Sequence, residues 1–211
     1  MADAWVNAAT AECAMSTRLF VIVVSLLVAV LAVTLTAGYL VWTRGDQGTA
    51  ALIGGPFNLV DQDGRATTPE TLKGKWSLIY FGYTYCPDVC PTTLSVMTQA
   101  LDQLGPLAEK VTPVFVTVDP ERDTVAQLKA YQDHFHPSFV MLTGSPERVK
   151  DAARAYRVYH RKVESESATD YLMDHSSITF LMGPDGVYVT HFGHDATAES
   201  MAATLRQKLG G

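Results

Sequence analysis

Two cysteines four positions apart, Cys86 and Cys90, stand in the run Cys86-Pro-Asp-Val-Cys90-Pro91. Side chains at i and i+4 of one turn are neighbours, so two sulfur atoms can share a disulfide or one metal ion. The run follows an apolar stretch, Trp76 to Gly82, that reads as a buried strand. After it come Leu94, Met97, Leu101 and Leu104 at helical spacing. The carboxyl end of a strand is where open α/β sheets bind ligands. A helix beginning near Pro91-Thr92 puts Cys90 at its N-terminus, where the macrodipole and free N–H groups favour an anion and lower a thiol pKa. The resulting thiolate is at once a nucleophile and a metal ligand. Buried structural cysteines would have apolar neighbours, whereas two prolines and Asp88 surround these.

A structural zinc site takes four ligands, and no second cysteine pair is present; the third cysteine, Cys13, stands alone. Two thiolates and one imidazole, a soft trigonal set, suit Cu(I) better. Six histidines are available for the third position. His134 and His136 lie at a helix end, His160 before a charged loop, and His191 and His194 beside a strand end. His175, in Met173-Asp-His-Ser-Ser177, directly precedes a strand expected from Ser177. The loop entering that strand should pack beside the cysteines, which selects His175; spacing alone leaves the other histidines open. Asp174 could orient His175 as an outer partner. Asp119 could shape the site or merely form a turn. Met97 and Met173 offer thioethers, with core packing the simpler role.

These groups need a scaffold. Residues 57–64 read as a short strand and an Asp-Gly turn, opening a hairpin. Strands are expected over 76–82, 111–118, 139–143, 177–182 and 187–192, the last two joined by Gly183-Pro-Asp-Gly186. Helices are expected over 92–104, over 124–135 with Thr124 as N-cap, from Ser145-Pro146, and over 196–209. The stretch 163–170 is polar and acidic and reads as an exposed loop. The alternation predicts an α/β sandwich around a mixed sheet.

Ahead of this domain, 25 residues from Leu19 to Thr43 carry no charge and are bounded by Arg18 and Arg44. A helix of that length measures about 37 Å, enough to cross a hydrocarbon core of about 30 Å. Tyr39 and Trp42 sit at its far end, where amphipathic rings favour the interface. A cleaved signal peptide would have a shorter apolar region and a small-x-small site. The run is longer and no A-x-A ends it, so a retained anchor is expected. Arg18 and Arg44 balance, so charge gives no orientation; size favours the large domain on the far side of the membrane. Met15 opens a compact lead into the anchor and could be the initiator. The expected plan is a short segment 1–18, a transmembrane anchor 19–43, a tether 44–53 and a domain 54–211.

The chain has 211 residues and a formal net charge of −6. Residues 46–211 contain 14 basic and 20 acidic residues, so they carry all of it. A nucleic-acid surface needs a basic face and is not expected. Hydrophobic residues at 47% exclude a disordered chain.

Three motifs carry a resemblance. Phe81-Gly-Tyr-Thr-Tyr-Cys-Pro-Asp-Val-Cys-Pro-Thr-Thr-Leu94, Val118-Asp-Pro-Glu-Arg-Asp-Thr124, and Asp174-His-Ser with a following Gly-Pro-Asp-Gly resemble the Sco/SenC family of copper chaperones. The resemblance spans about 54–209 together with a single N-terminal anchor. It implies a thioredoxin-like fold with an extra N-terminal β-hairpin, preceded by one transmembrane helix. It implies that Cys86, Cys90 and His175 bind a copper ion, and that the cargo goes to the copper-A-bearing subunit of cytochrome c oxidase. A copper donor protein and a thioredoxin-like reductant are the further partners it suggests. In Sco-like proteins the cysteine pair can also be oxidised to a disulfide. The alternative role is therefore a thiol–disulfide reductase, with Cys86 and Cys90 as the redox-active pair, keeping oxidase-subunit cysteines reduced. Thioredoxins have C-x-x-C and a proline opposite it; this chain has three residues between its cysteines and Asp174-His-Ser-Ser177 with no proline. A ligand thus stands where an oxidoreductase holds its substrate, which favours metal binding. With no transit peptide evident, the soluble domain is expected on the periplasmic side of a bacterial inner membrane, ahead of a mitochondrial intermembrane space.

Overall fold

The computed structural model describes residues 19–39, 53–164 and 171–210. The chain divides into two units, 1–49 and 50–211. In the first, residues Leu19–Tyr39 form one helix, α1, of 21 residues with mean hydropathy 2.9. Its length and composition fit a membrane anchor. Residues 40–43 of the expected span lie outside the described residues.

The second unit opens with a small hairpin, β1 (Leu59–Val60) and β2 (Ala66–Thr67). Asp61 closes it: its side chain accepts from the N–H groups of Asp63 and Arg65, the local bonding that makes aspartate a turn residue. A short helix, α2 (Pro69–Leu72), follows. The central strand β3 (Trp76–Gly82) has six of its seven residues buried, as its unbroken apolar run requires of a strand covered on both faces. Helix α3 (Val89–Leu104) and a 3-10 turn, Gly105–Lys110, lead into β4 (Val111–Thr117). Then come α4 (Val125–Gln132), β5 (Val140–Leu142) and α5 (Pro146–Ala155). A second hairpin, β6 (His160–Glu164) and β7 (Tyr171–His175), precedes β8 (Thr179–Met182), β9 (Tyr188–Phe192) and α6 (Ala198–Leu209).

The sheet order is β5-β4-β3-β8-β9. Strands β3, β4 and β5 run parallel, while β8 and β9 are antiparallel to their neighbours. This is a thioredoxin-like arrangement with an added N-terminal hairpin. Apolar side chains of β3 and β4 meet Leu94, Met97 and Leu101 of α3 in one core. Thr124 and Ser145 cap α4 and α5, accepting from the N–H groups of Gln127 and Arg148, as their residue types lead one to expect.

Three elements differ from the sequence reading. Helix α3 starts at Val89, not near Thr92. Pro91 is its third residue, and a first-turn N–H has no helical partner to lose, so proline does not delay the start. Val163 and Glu164 belong to strand β6 rather than to a loop; residues 165–170 lie outside the described residues. The strand expected from Ser177 begins at Thr179. His175 is therefore the last residue of β7, in a separate two-stranded ladder, and not part of a loop entering the central sheet.

Candidate metal centre

Three side chains converge above the carboxyl end of β3. The ligand atoms of Cys86, Cys90 and His175 all lie within 4.8 Å of one another. Cys90 Sγ stands 3.3 Å from His175 Nε2 across 85 residues of chain. Cys86 is half-buried, Cys90 fully buried, and both are free thiols. Among the described residues no other group of three or more potential ligands comes together. The donor set, two sulfurs and one imidazole, is soft and one short of the zinc tetrahedron.

The first turn of α3 builds the cysteine half. Asp88 is the N-cap but makes no side-chain cap bond. Pro91 has no N–H to offer, and the Cys90 N–H donates to Cys86 Sγ at 3.4 Å. A sulfur atom thus does what a capping oxygen does elsewhere, in the positive field of the helix end. The Cys86 pKa is lowered, first because the Cys90 thiol donates to its sulfur, then through His175 and the N–H groups of Cys90 and Asp88, against a burial cost. The Cys90 pKa is raised because its proton is held by Cys86 and its sulfur is buried. The opposite shifts favour a thiolate at Cys86 and a thiol at Cys90. Gly82 makes room for it: a Cβ there would lie 2.9 Å from Cys90 Sγ and equally close to Phe115 and Tyr80. Reduced protein should therefore be alkylated at Cys86 by iodoacetamide, with a rate that stays high as pH falls below 7. Cys90 should react only after unfolding. Peptide mass analysis reads both; equal labelling of the two in folded protein contradicts this assignment.

The histidine half is walled by aromatics. Tyr80 and Tyr83 meet the His175 ring edge-on at 6.0 and 5.9 Å, and Tyr80 Oη donates to Cys90 Sγ at 3.6 Å. His175 Nδ1 lies 3.3 Å from the Ser176 carbonyl oxygen, and Nε2 is turned toward the sulfurs.

Asp119 and Asp123 join the two halves. Asp119 is buried; its carboxylate accepts from Arg122 Nε and, at 2.7 Å, from Tyr171 Oη on β7. Arg122 Nη1 donates to the Tyr171 carbonyl at 3.0 Å. The guanidinium lies 3.8 Å from the Tyr171 ring centroid and 4.7 Å from that of Tyr85, beside Cys86. The buried Asp123 carboxylate accepts from the Thr84 N–H, the Thr84 hydroxyl and the Thr117 hydroxyl. The run Asp119–Asp123 therefore ties the cysteine loop to β4 and the histidine hairpin to both. Arg122, Asp123, Tyr171, Tyr80 and Tyr83 are not singled out by the sequence reading, although Arg122, Asp123 and Tyr83 sit in quoted motifs.

The remaining candidates resolve individually. Asp174 points away from His175, as alternation along a strand requires, and pairs with Arg161 at 3.3 Å; it does not orient the imidazole. Met97 and Met173 are buried in the core. His134 is exposed, and His136 Nδ1 contacts Ser138 Oγ at 2.7 Å. His191 is stacked on Tyr188, and His194 is exposed. His160 faces His175 in the β6–β7 register. Cys13 lies outside the described residues.

Comparison with known proteins follows the same lines. A family model described as SCO1/SenC matches residues 45–210. The chain is 46% identical over 159 residues to a mitochondrial SCO1 homolog of Arabidopsis thaliana, covering 75% of this chain and 47% of that protein. It is 43% identical over 157 residues to a SCO2-like protein of Rickettsia conorii, covering 74% of this chain and 77% of that protein. It thus spans about half the length of the plant relative and about three quarters of the rickettsial one. The solved structure of Bradyrhizobium japonicum ScoI with copper bound superposes with a TM-score of 0.69 at 46% identity, covering 74% of this chain and 98% of that one.

Proposed function

This chain belongs to the SCO1/SenC family, and from that premise we propose that it is a membrane-anchored copper carrier holding one ion between Cys86, Cys90 and His175. The observation that carries the reading is the meeting of two sulfurs and one imidazole within 4.8 Å, a donor set suited to a soft ion. The copper-bound relative supports copper as the cargo. Residues 19–43, which include helix α1, are the anchor, residues 44–53 the tether and residues 54–211 the carrier domain. The domain faces the periplasm of a bacterial inner membrane, where the copper-A-bearing subunit of cytochrome c oxidase receives the ion.

Transfer needs no covalent chemistry on a substrate. Three ligands leave room for an incoming one. Cys86, the more exposed sulfur, exchanges first; Cys90, buried and held by Tyr80, releases last. Titration of the full chain, reduced and in detergent, with Cu(I) should give one ion per chain. X-ray absorption should show two sulfurs and one nitrogen around it. Cys86→Ala/Cys90→Ala should abolish binding, and stoichiometric retention of copper by that variant would remove the proposal.

One observation favours a second activity of the same pair. A partly exposed thiolate lies beside a buried thiol. Cys86 could attack a disulfide of the oxidase subunit, releasing one thiolate and forming a mixed disulfide. Cys90 would then attack the Cys86 sulfur, releasing the second thiol and leaving a Cys86–Cys90 disulfide for a thioredoxin-like reductant.

A further inference from the structure

Although the domain is acidic, one short segment is not. Between residues 148 and 162 stand six of the 14 basic residues of 46–211 and one acid, Asp151. The C-terminal end of α5 and the start of β6 shape a groove of about 780 Å³, whose lining includes Lys150, Arg154, Arg157 and His160 and, among the described residues, no carboxylate. Arg154 also meets Asp151 at 3.4 Å, but both side chains are about two-thirds exposed, so that pair holds little.

Two further observations bear on what the groove takes. Arg157 has φ of +55°, and it is the only non-glycine residue with positive φ among the described residues. It follows the end of α5, where the Val158 N–H reaches back to the Ala153 carbonyl at 2.8 Å. Glycine is the usual residue at such a helix end. An arginine here places a cationic side chain in the groove lining at a backbone cost. The opposite wall is Gly54 to Pro56, where the chain coming from α1 enters the domain; the Gly54 N–H donates to the Ala155 carbonyl at 2.9 Å. In the sequence, residues 40–52 separate α1 from Ile53. Tyr159, with a ring suited to a membrane interface, is 57% exposed beside the groove.

We propose that this groove docks the domain on anionic lipid phosphate groups of the bilayer that holds α1. The inference rests on the anchor reading above. An acidic domain is repelled by an anionic leaflet except through this face, so docking also selects one orientation of the carrier. Basic residues near such a leaflet attract it over about a Debye length.

The test uses the full chain in lipid nanodiscs, of phosphatidylcholine alone or with phosphatidylglycerol, and reads amide hydrogen exchange over 146–162. Phosphatidylglycerol should slow exchange there several-fold, and high salt should abolish the slowing. Lys150→Glu/Arg154→Glu should lose it. Arg157→Gly, which removes one charge from the lining, should weaken it. Equal exchange in both lipids overturns the inference and leaves the anchor standing. Slowing by inorganic phosphate with neutral lipid assigns the groove to a free anion and overturns membrane docking. Release of the chain from the bilayer by alkaline carbonate overturns the anchor and this inference together.

Discussion

His175→Ala should lower Cu(I) affinity by more than about 100-fold, beyond the 10–100-fold that loss of an outer partner costs, while leaving disulfide exchange by the cysteines largely intact. The imidazole contributes one of three donor atoms, 3.3 Å from Cys90 Sγ. Its side chain lies against the edges of Tyr80 and Tyr83, so truncation opens space at the site without removing a core residue. Cys86 keeps the N–H of Cys90 and the Cys90 thiol as donors to its sulfur, so it stays a competent nucleophile. The two proposed activities therefore separate in one variant. Competition with a Cu(I) chelator reads the first, and reduction of a disulfide peptide reads the second. Should the variant hold copper as tightly as the wild type, with nitrogen still in its X-ray absorption spectrum, His175 is not the third ligand.

Asp119→Ala should destabilise the domain by about 3–5 kcal/mol, the range for removing one partner of a buried ion pair. The Asp119 side chain is 0% exposed and that of Arg122 14% exposed, so loss of the carboxylate removes a buried counter-charge from Arg122 Nε and strips Tyr171 Oη of its acceptor. For a domain of this size the midpoint should fall by roughly 10 °C, read by near-ultraviolet circular dichroism on the full chain in detergent. The same change frees β7 from its tie to the cysteine loop. Copper affinity should therefore fall even where the variant remains folded, whereas the rate of Cys86 alkylation should hold. Asp119→Asn, which keeps an acceptor but not the charge, should lie between. An unchanged midpoint in Asp119→Ala would show that the pair contributes nothing net.

The limits of sequence reading follow from distance along the chain. Trp76–Gly82, the caps Thr124 and Ser145, the Asp61 turn, the apolar helix and the cysteine pair are local: propensity, spacing and capping within a few residues specify them. The motifs were long enough to carry the family and, with it, a thioredoxin-like fold and His175. What was missed is non-local. The β6–β7 hairpin is rich in charge because it is exposed on most of its surface, so no apolar alternation announced it. Asp174 looked like a partner for His175 because it is adjacent in sequence, yet adjacency on a strand sends two side chains to opposite faces. Asp119 stays open between shaping the site and forming a turn in the sequence, because its partner Tyr171 is 52 residues away. That cysteines and one imidazole were present for a soft ion was decided by the order of residues. How deeply each sulfur is buried, and what clamps the hairpin against the loop, were decided by packing, since burial and hydrogen bonding between distant segments exist only once the chain has folded.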